Sequence, residues 1–259
     1  MTIYEPINPI ALDLGFTQIH WYGIMYLLAF LTSYFLATSR IKSFGLNKKV
    51  AEDMIFYGAL GVVLGGRVGY VLFYNFPVFI ENPLSIIMIH QGGMSFHGGF
   101  LGVLVAMYLF NKKYNRSFFQ TMDFVAPLVP LGLGFGRIGN FINNELWGST
   151  TTSEFGITIK VYGGELLTRY PSQLYEAFLE GFVLFAILWV FSKKPRPLKS
   201  ISALFLIFYG IFRFMIEFVR VPDEHLGYLA FNWLTMGQIL SFPMVIYGLF
   251  LLKQAYKKG

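Results

Sequence analysis

The amino-acid sequence predicts an all-α integral membrane protein of about seven transmembrane helices, its amino terminus outside and its carboxy terminus cytoplasmic. Three observations predict it. The 259 residues are 55% hydrophobic and 13% charged, against roughly 25% charged in a soluble domain. Mean hydropathy is +0.56. Mostly apolar stretches close to the roughly 20 residues of a bilayer-spanning helix recur along the chain. Length alone would suggest one or two globular domains, but these spans use nearly the whole chain, so 1–259 reads as a single transmembrane domain.

In order, the expected spans are His20–Ala37, Asp53–Phe76, Phe96–Phe110, Phe118–Gly139, Ser172–Phe191, Ile201–Phe218 and Met236–Leu252. The third is short in its apolar core, and the second and sixth contain charges. Basic residues follow spans one, three, five and seven: Arg40, Lys42, Lys48 and Lys49; Lys112, Lys113 and Arg116; Lys193, Lys194, Arg196 and Lys199; Lys253, Lys257 and Lys258. These are 14 of the 20 Lys and Arg residues. The positive-inside rule makes their side cytoplasmic. The net charge of +6 is therefore a topology signal, and no nucleic-acid partner is expected. No Lys or Arg precedes Arg40, so the start lacks the basic region of a cleaved signal peptide.

Between the spans, residues 144–170 are polar and rich in Gly and Thr, and read as a small extracytoplasmic head. Within them Gly156–Gly164 alternates and then turns, the pattern of a short β-hairpin. Pro77–Gly93 is a second outer segment, in which Leu84–His90 is amphipathic and expected at the interface. Gly61, Gly65 and Gly69 step by four residues, as do Gly98 and Gly102, and Gly132 and Gly136. Close helix packing and clearance for a lipid both account for them.

The polar residues inside the spans carry the functional signal, because a charge there costs a few kcal/mol or more. With the orientation above, Arg67, Arg137, Arg213, Glu217 and Arg220 fall late in outward-running spans. His20, Tyr22, His97, Glu176 and Glu180 fall early in inward-running ones. All are then in the outer half. Asp53 and Asp123 look instead like helix-start carboxylates at the cytoplasmic side. Tyr209, Arg213, Glu217 and Arg220 share one helix face by their spacing of four, four and three. An internal salt-bridge network explains such charges. The arginines near Arg137 and Arg213, however, outnumber what a few carboxylates must neutralise, and such an excess suits an anionic ligand, the guanidinium fork suiting phosphate.

His97 sits among glycines and titrates near neutral pH when unperturbed, so it reads either as a general base or as an interfacial histidine. His20 and His90 read as interfacial. The turn Gly136–Gly148 brings Arg137, Asn140, Asn143 and Glu145 together, either as a polar cap or as a head-group site. Cysteine count is 0, which excludes a thiolate nucleophile and a disulfide framework. No histidine pair has metal-ligand spacing, so neither metal nor cofactor is expected.

At these residues the chain resembles the bacterial prolipoprotein diacylglyceryl transferases. The pattern G-R-x-G-N-F-I-N-x-E-x-x-G is met at Gly136–Gly148, and G-G-M-S-F-H-G-G at Gly92–Gly99. G-G-R-x-G-Y-V is met at Gly65–Val71, and Y-G-x-F-R-F-x-x-E-F-x-R at Tyr209–Arg220. Y-P-S-Q-L-Y-E at Tyr170–Glu176 resembles the family's H-P-S-Q-L-Y-E. The motifs run in order along the full chain. One departure is the outer insertion between Gly148 and Tyr170, which is longer in some relatives.

The resemblance implies a reaction at the outer leaflet of the bacterial cytoplasmic (inner) membrane. The diacylglyceryl group of phosphatidylglycerol moves to the lipobox cysteine thiol of a preprolipoprotein signal peptide, forming a thioether and releasing glycerol 1-phosphate. The catalytic residues it implies are His97, Arg137 and Arg213. His97 takes the thiol proton or orients the group that does, and Arg137 and Arg213 bind the phosphate. Substrate-binding residues are Arg137, Tyr22, Asn140, Asn143, Glu145, Gly148, Tyr209, Glu217, Arg67 and Arg220. Membrane lipids are the surrounding partners. The rival reading is a multi-span transporter or channel for an anionic solute or lipid, which predicts ionisable groups along the whole path rather than in one half.

Overall fold

A computed structural model describes residues 3–88, 92–160, 164–222 and 227–257. The expectations for His90, for the hairpin turn at 161–163 and for Lys258 lie outside the described residues.

In chain order the elements are β1 (Ile3–Tyr4), β2 (Ile10–Asp13), β3 (Gln18–His20), α1 (Trp21–Arg40), α2 (Lys48–Tyr74), α3 (Phe76–Glu81), α4 (Phe96–Tyr114), α5 (Phe118–Ile142), β4 (Ile157–Lys160), β5 (Leu166–Arg169), α6 (Ser172–Phe191), α7 (Ser200–Ile216) and α8 (Met236–Tyr256). The protein is mostly helical. Among the described residues, five helices, α1, α2, α5, α6 and α8, are long and apolar enough to cross a membrane. The other two expected spans also form helices. Polar ends shorten the apolar core of α4, which carries His97 at one end and Asn111, Lys112 and Lys113 at the other. α7 is apolar but has 17 residues.

Two long helices change pitch. In α5 a 3-10 turn at Ala126–Leu128 contains Pro127, which has no N–H to donate. In α6 residues Ala177–Val183 form a π-helical segment, a geometry that recurs at functional sites.

The chain divides into two compact units, residues 34–121 and residues 1–33 with 122–259. In the first, α2 and α4 pack backbone to backbone. A Cβ on Gly69 would lie 2.6 Å from Gly98 Cα, and one on Gly102 would lie 2.8 Å from Gly65 Cα. For Gly61, Gly65, Gly69, Gly98 and Gly102 the packing explanation therefore holds. Gly136, in the second unit, has nothing within 4 Å of an added Cβ among the described residues outside its own helix backbone and chain neighbours.

The two aspartates differ from expectation. The start of α2 is capped by Asn47, whose side chain accepts from Val50 N at 2.8 Å. Asp53 lies further along and binds Lys113 at 2.8 Å and the Tyr114 hydroxyl. Asp123 lies inside α5 and serves a different helix. It accepts from Lys199 N at 2.7 Å and Ser202 N at 2.8 Å, which caps the start of α7.

In the second unit, β4 and β5 pair antiparallel from Ile157↔Arg169 to Lys160↔Leu166, and β1 adds in parallel to β4. The second strand lies beyond the expected Gly156–Gly164, because the alternating pattern breaks at the glycines and resumes after them. β2 and β3 form a further antiparallel hairpin that the sequence reading did not anticipate. Its turn is held by Asp13, which accepts from Gly15 N and Gln18 Nε2; these donors keep the Asp13 carboxyl below its usual pKa.

Candidate functional site

Helix periodicity builds the site in the larger unit. α7 and the turn after it place Arg213, Glu217 and Arg220 on one face, as the spacing predicted. α6 places Glu176 and Glu180 one turn apart, and α5 supplies Arg137.

These six side chains form one ion-pair network. Glu176 is the hub and is fully buried. Its Oε2 lies 2.7 Å from Arg137 Nε and 3.1 Å from Arg213 Nη1, and its Oε1 lies 2.6 Å from Arg220 Nη1. Glu217 receives Arg213 Nη2 at 2.5 Å and Arg220 Nε at 3.3 Å. Glu180 lies 3.9 Å from Arg213 Nη1.

Three guanidiniums thus meet three carboxylates, and the arginine excess read from the sequence is not present in this cluster. Glu176 and Glu180, one turn apart on α6, both join Glu217. The asymmetry lies instead in exposure. The side chains of Glu176, Glu180 and Glu217 are 0, 1 and 5% exposed, while that of Arg137 is 25% exposed. Arg137 meets Glu176 through Nε and is the most exposed of the three guanidiniums. The negative charge is innermost, and the Arg137 guanidinium is the most exposed part of the cluster.

The turn after α5 stands beside Arg137 in the chain. Backbone bonds close it: Asn143 N to Gly139 O at 2.9 Å, Asn144 N to Phe141 O at 3.0 Å and Glu145 N to Asn140 O at 3.1 Å. The helix end is satisfied by the main chain, so the Asn140 and Glu145 side chains are not its cap. Asn140 Nδ2 instead donates to Glu145 Oε1 at 2.7 Å. Asn144 and Leu146 both have positive φ, 57° and 60°, which for leucine is strained backbone. Gln173 Nε2 donates to Glu145 O, and Ser172 Oγ donates to Leu146 O at 2.9 Å, so the start of α6 holds the strained turn. Gly148 allows a close backbone approach, since an added Cβ would lie 2.8 Å from Tyr170 O. Tyr22 lies against the Gly139 surface, where a Cβ would meet its ring at 2.8 Å.

The whole-chain comparison is decisive about kinship. The family model for prolipoprotein diacylglyceryl transferase matches residues 9–253. The chain belongs to that family. A phosphatidylglycerol–prolipoprotein diacylglyceryl transferase of Pseudomonas paraeruginosa is 54% identical over 260 residues, covering all of this chain and 97% of that protein. The one from Pseudomonas aeruginosa is 54% identical with the same coverage. That of Pseudomonas fluorescens is 53% identical over 261 residues, again with 100% and 97% coverage.

Among the residues that likeness to prolipoprotein diacylglyceryl transferases suggested, the structure brings together Arg137, Arg213, Glu217 and Arg220, and separately Asn140 with Glu145. Tyr209 is on α7 one turn before Arg213, with its ring stacked on Phe205 at 5.7 Å. Asn143 Oδ1 is buried and has no partner among the described residues. His97 and Arg67 belong to the other unit. His97 is the second residue of α4, exposed, just after the N-cap Ser95. Its neighbour Gly98 packs against α2, so that glycine serves the helix pair rather than a ligand. Arg67 is 4% exposed and gives its N–H groups to backbone carbonyls: Ser85 at 2.6 Å, Ile86 at 3.3 Å, Gly93 at 3.2 Å, and Gly92. It ties residues 85–86 and 92–93 to α2.

Sequence reasoning left out of the site Glu176, Glu180, Gln173 and Thr235. The two glutamates were read only as pairing partners. For Thr235 a signal existed, because Thr235-Met-Gly-Gln238 is a capping box, and the structure forms it.

Proposed function

We propose that this chain transfers the diacylglyceryl group of phosphatidylglycerol to the lipobox cysteine thiol of a preprolipoprotein, forming a thioether and releasing glycerol 1-phosphate. One observation carries the site assignment: Arg137 is the most exposed of three guanidiniums gathered on the buried Glu176, the one an anion would meet first. Family membership supports the reaction type.

In this reading the substrate sulfur attacks the glyceryl carbon next to the phosphate, a C–S bond forms and the C–O bond to phosphate breaks. Negative charge moves onto the departing phosphate oxygen. Arg137 and Arg213, already oriented by Glu176, stabilise that charge without reorganising. His97 accepts the thiol proton or orients the acceptor. Asn140, Asn143, Glu145, Gly148, Tyr22 and Tyr209 shape the head-group pocket, Glu217 and Arg220 steady Arg213, and Arg67 is a further substrate-binding residue. The absence of cysteine from the chain fits a sulfur supplied by the substrate.

We place the chain across the bacterial inner membrane in seven spans, amino terminus outside, with 144–170 as a small outer head and the site toward the outer leaflet. The basic clusters support that orientation. The test is purified protein with phosphatidylglycerol and a lipobox peptide, with and without its cysteine. A cysteine-dependent gain of one diacylglyceryl mass is expected. No product across several detergents and lipids would overturn the reading in favour of an anion or lipid transporter.

A further inference from the structure

We infer that Thr235, at the start of α8, is a positioning residue that acts through Glu217 on the arginine pair Arg213 and Arg220. The inference rests on the function proposed above.

Thr235 is 2% exposed, Gln238 0% and Glu217 5%. The Thr235 hydroxyl is used in both directions. It donates to Glu217 Oε2 at 2.6 Å and accepts from Gln238 N at 3.2 Å. The Gln238 side chain answers by accepting from Thr235 N at 3.0 Å. A tight turn presents the threonine: Phe231 and Asn232 have φ of 55° and 57°, and Leu234 N returns to Ala230 O at 3.0 Å. Gly237 then admits the carboxylate, since an added Cβ would lie 2.5 Å from Glu217 Cδ and 2.6 Å from its Oε1.

The Glu217 carboxylate is therefore set at the positive end of a 21-residue helix, where partial charge and a short hydroxyl bond both favour the anion. From there it holds Arg213 Nη2 and Arg220 Nε. A capping threonine needs only to accept. The donated bond to Glu217 is extra, and it links the start of α8 to the end of α7. Loss of that bond lets the carboxylate turn, and with it the two guanidiniums that share Glu176.

The test is a kinetic comparison in the peptide assay with thermal unfolding in detergent as a fold control. Thr235→Val keeps the shape and removes both hydroxyl bonds. It is expected to lower kcat about tenfold, the effect of one hydrogen bond to a charged group, with KM for phosphatidylglycerol changed less than twofold. Thr235→Ser is expected to restore kcat to within about twofold of wild type. In a Glu217→Gln background, Thr235→Val is expected to cost less than twofold more, because the two act in series. Full additivity of the two losses would overturn the inference, as would a Thr235→Val protein that turns over at the wild-type rate. So would a Thr235→Val loss that Thr235→Ser fails to restore. If wild-type protein itself formed no thioether, the proposed function would fall instead.

Discussion

At the scale of single residues, Glu176 decides more than any arginine. It holds Arg137, Arg213 and Arg220 with one buried carboxylate. Glu176→Gln keeps the shape but leaves cations without their counter-charge, which for a buried pair costs about 3–5 kcal/mol. We expect a large fall in the detergent unfolding temperature together with loss of transfer. Unchanged stability would mean that the hub is solvated. Arg137→Lys separates charge from geometry. Lysine carries a point charge in place of the planar guanidinium fork, so kcat/KM is expected to fall about 100-fold, the scale of one lost charge-stabilising donor, with the fold intact. Wild-type turnover in Arg137→Lys would remove the role of its guanidinium geometry. Arg213, Glu217 and Arg220 were legible in the sequence because a helix turns every 3.6 residues. Glu176 as the hub was not, since it depends on how α6 lies against α5 and α7, which no local pattern encodes. Arg67 shows the same limit. A lone charge in a span reads as a ligand group, yet four backbone carbonyls take its N–H donors.

At the scale of elements, the glycines separate into two kinds that look identical in sequence. Those of α2 and α4 stand where an added Cβ strikes the partner backbone, and Gly136 on α5 faces open space. Spacing by four marks both, because it reports a helix face and not what covers that face. Gly102→Val should therefore destabilise the α2–α4 pair by about 1–3 kcal/mol, as overpacking does. Gly136→Ala should leave the unfolding temperature unchanged. If Gly136 provides clearance for a lipid, its alanine variant raises KM for phosphatidylglycerol while stability holds. A lowered unfolding temperature in Gly136→Ala would show that packing, not clearance, accounts for this glycine too.

At the scale of the whole molecule, helix length leaves two topologies in competition, and charge separates them. If only α1, α2, α5, α6 and α8 crossed the membrane, the segments following α4 and α6 would both lie outside. Lys112, Lys113 and Arg116, then Lys193, Lys194, Arg196 and Lys199, would be carried across the membrane against the positive-inside rule. Seven crossings put all of them inside. The two arrangements agree on the carboxy terminus and disagree on residues 144–170, which are outside with seven crossings and inside with five. The chain contains no cysteine, so single cysteines report cleanly. Phe155 is 78% exposed and Tyr256 50% exposed, and Asn115 is exposed between α4 and α5. In intact spheroplasts a membrane-impermeant maleimide should label Phe155→Cys at once. It should reach Asn115→Cys and Tyr256→Cys only after the membrane is permeabilised. Immediate labelling at Asn115→Cys with protection at Phe155→Cys would select five crossings. It would also turn the 144–170 segment toward the cytoplasm, where no translocated lipobox cysteine could meet it.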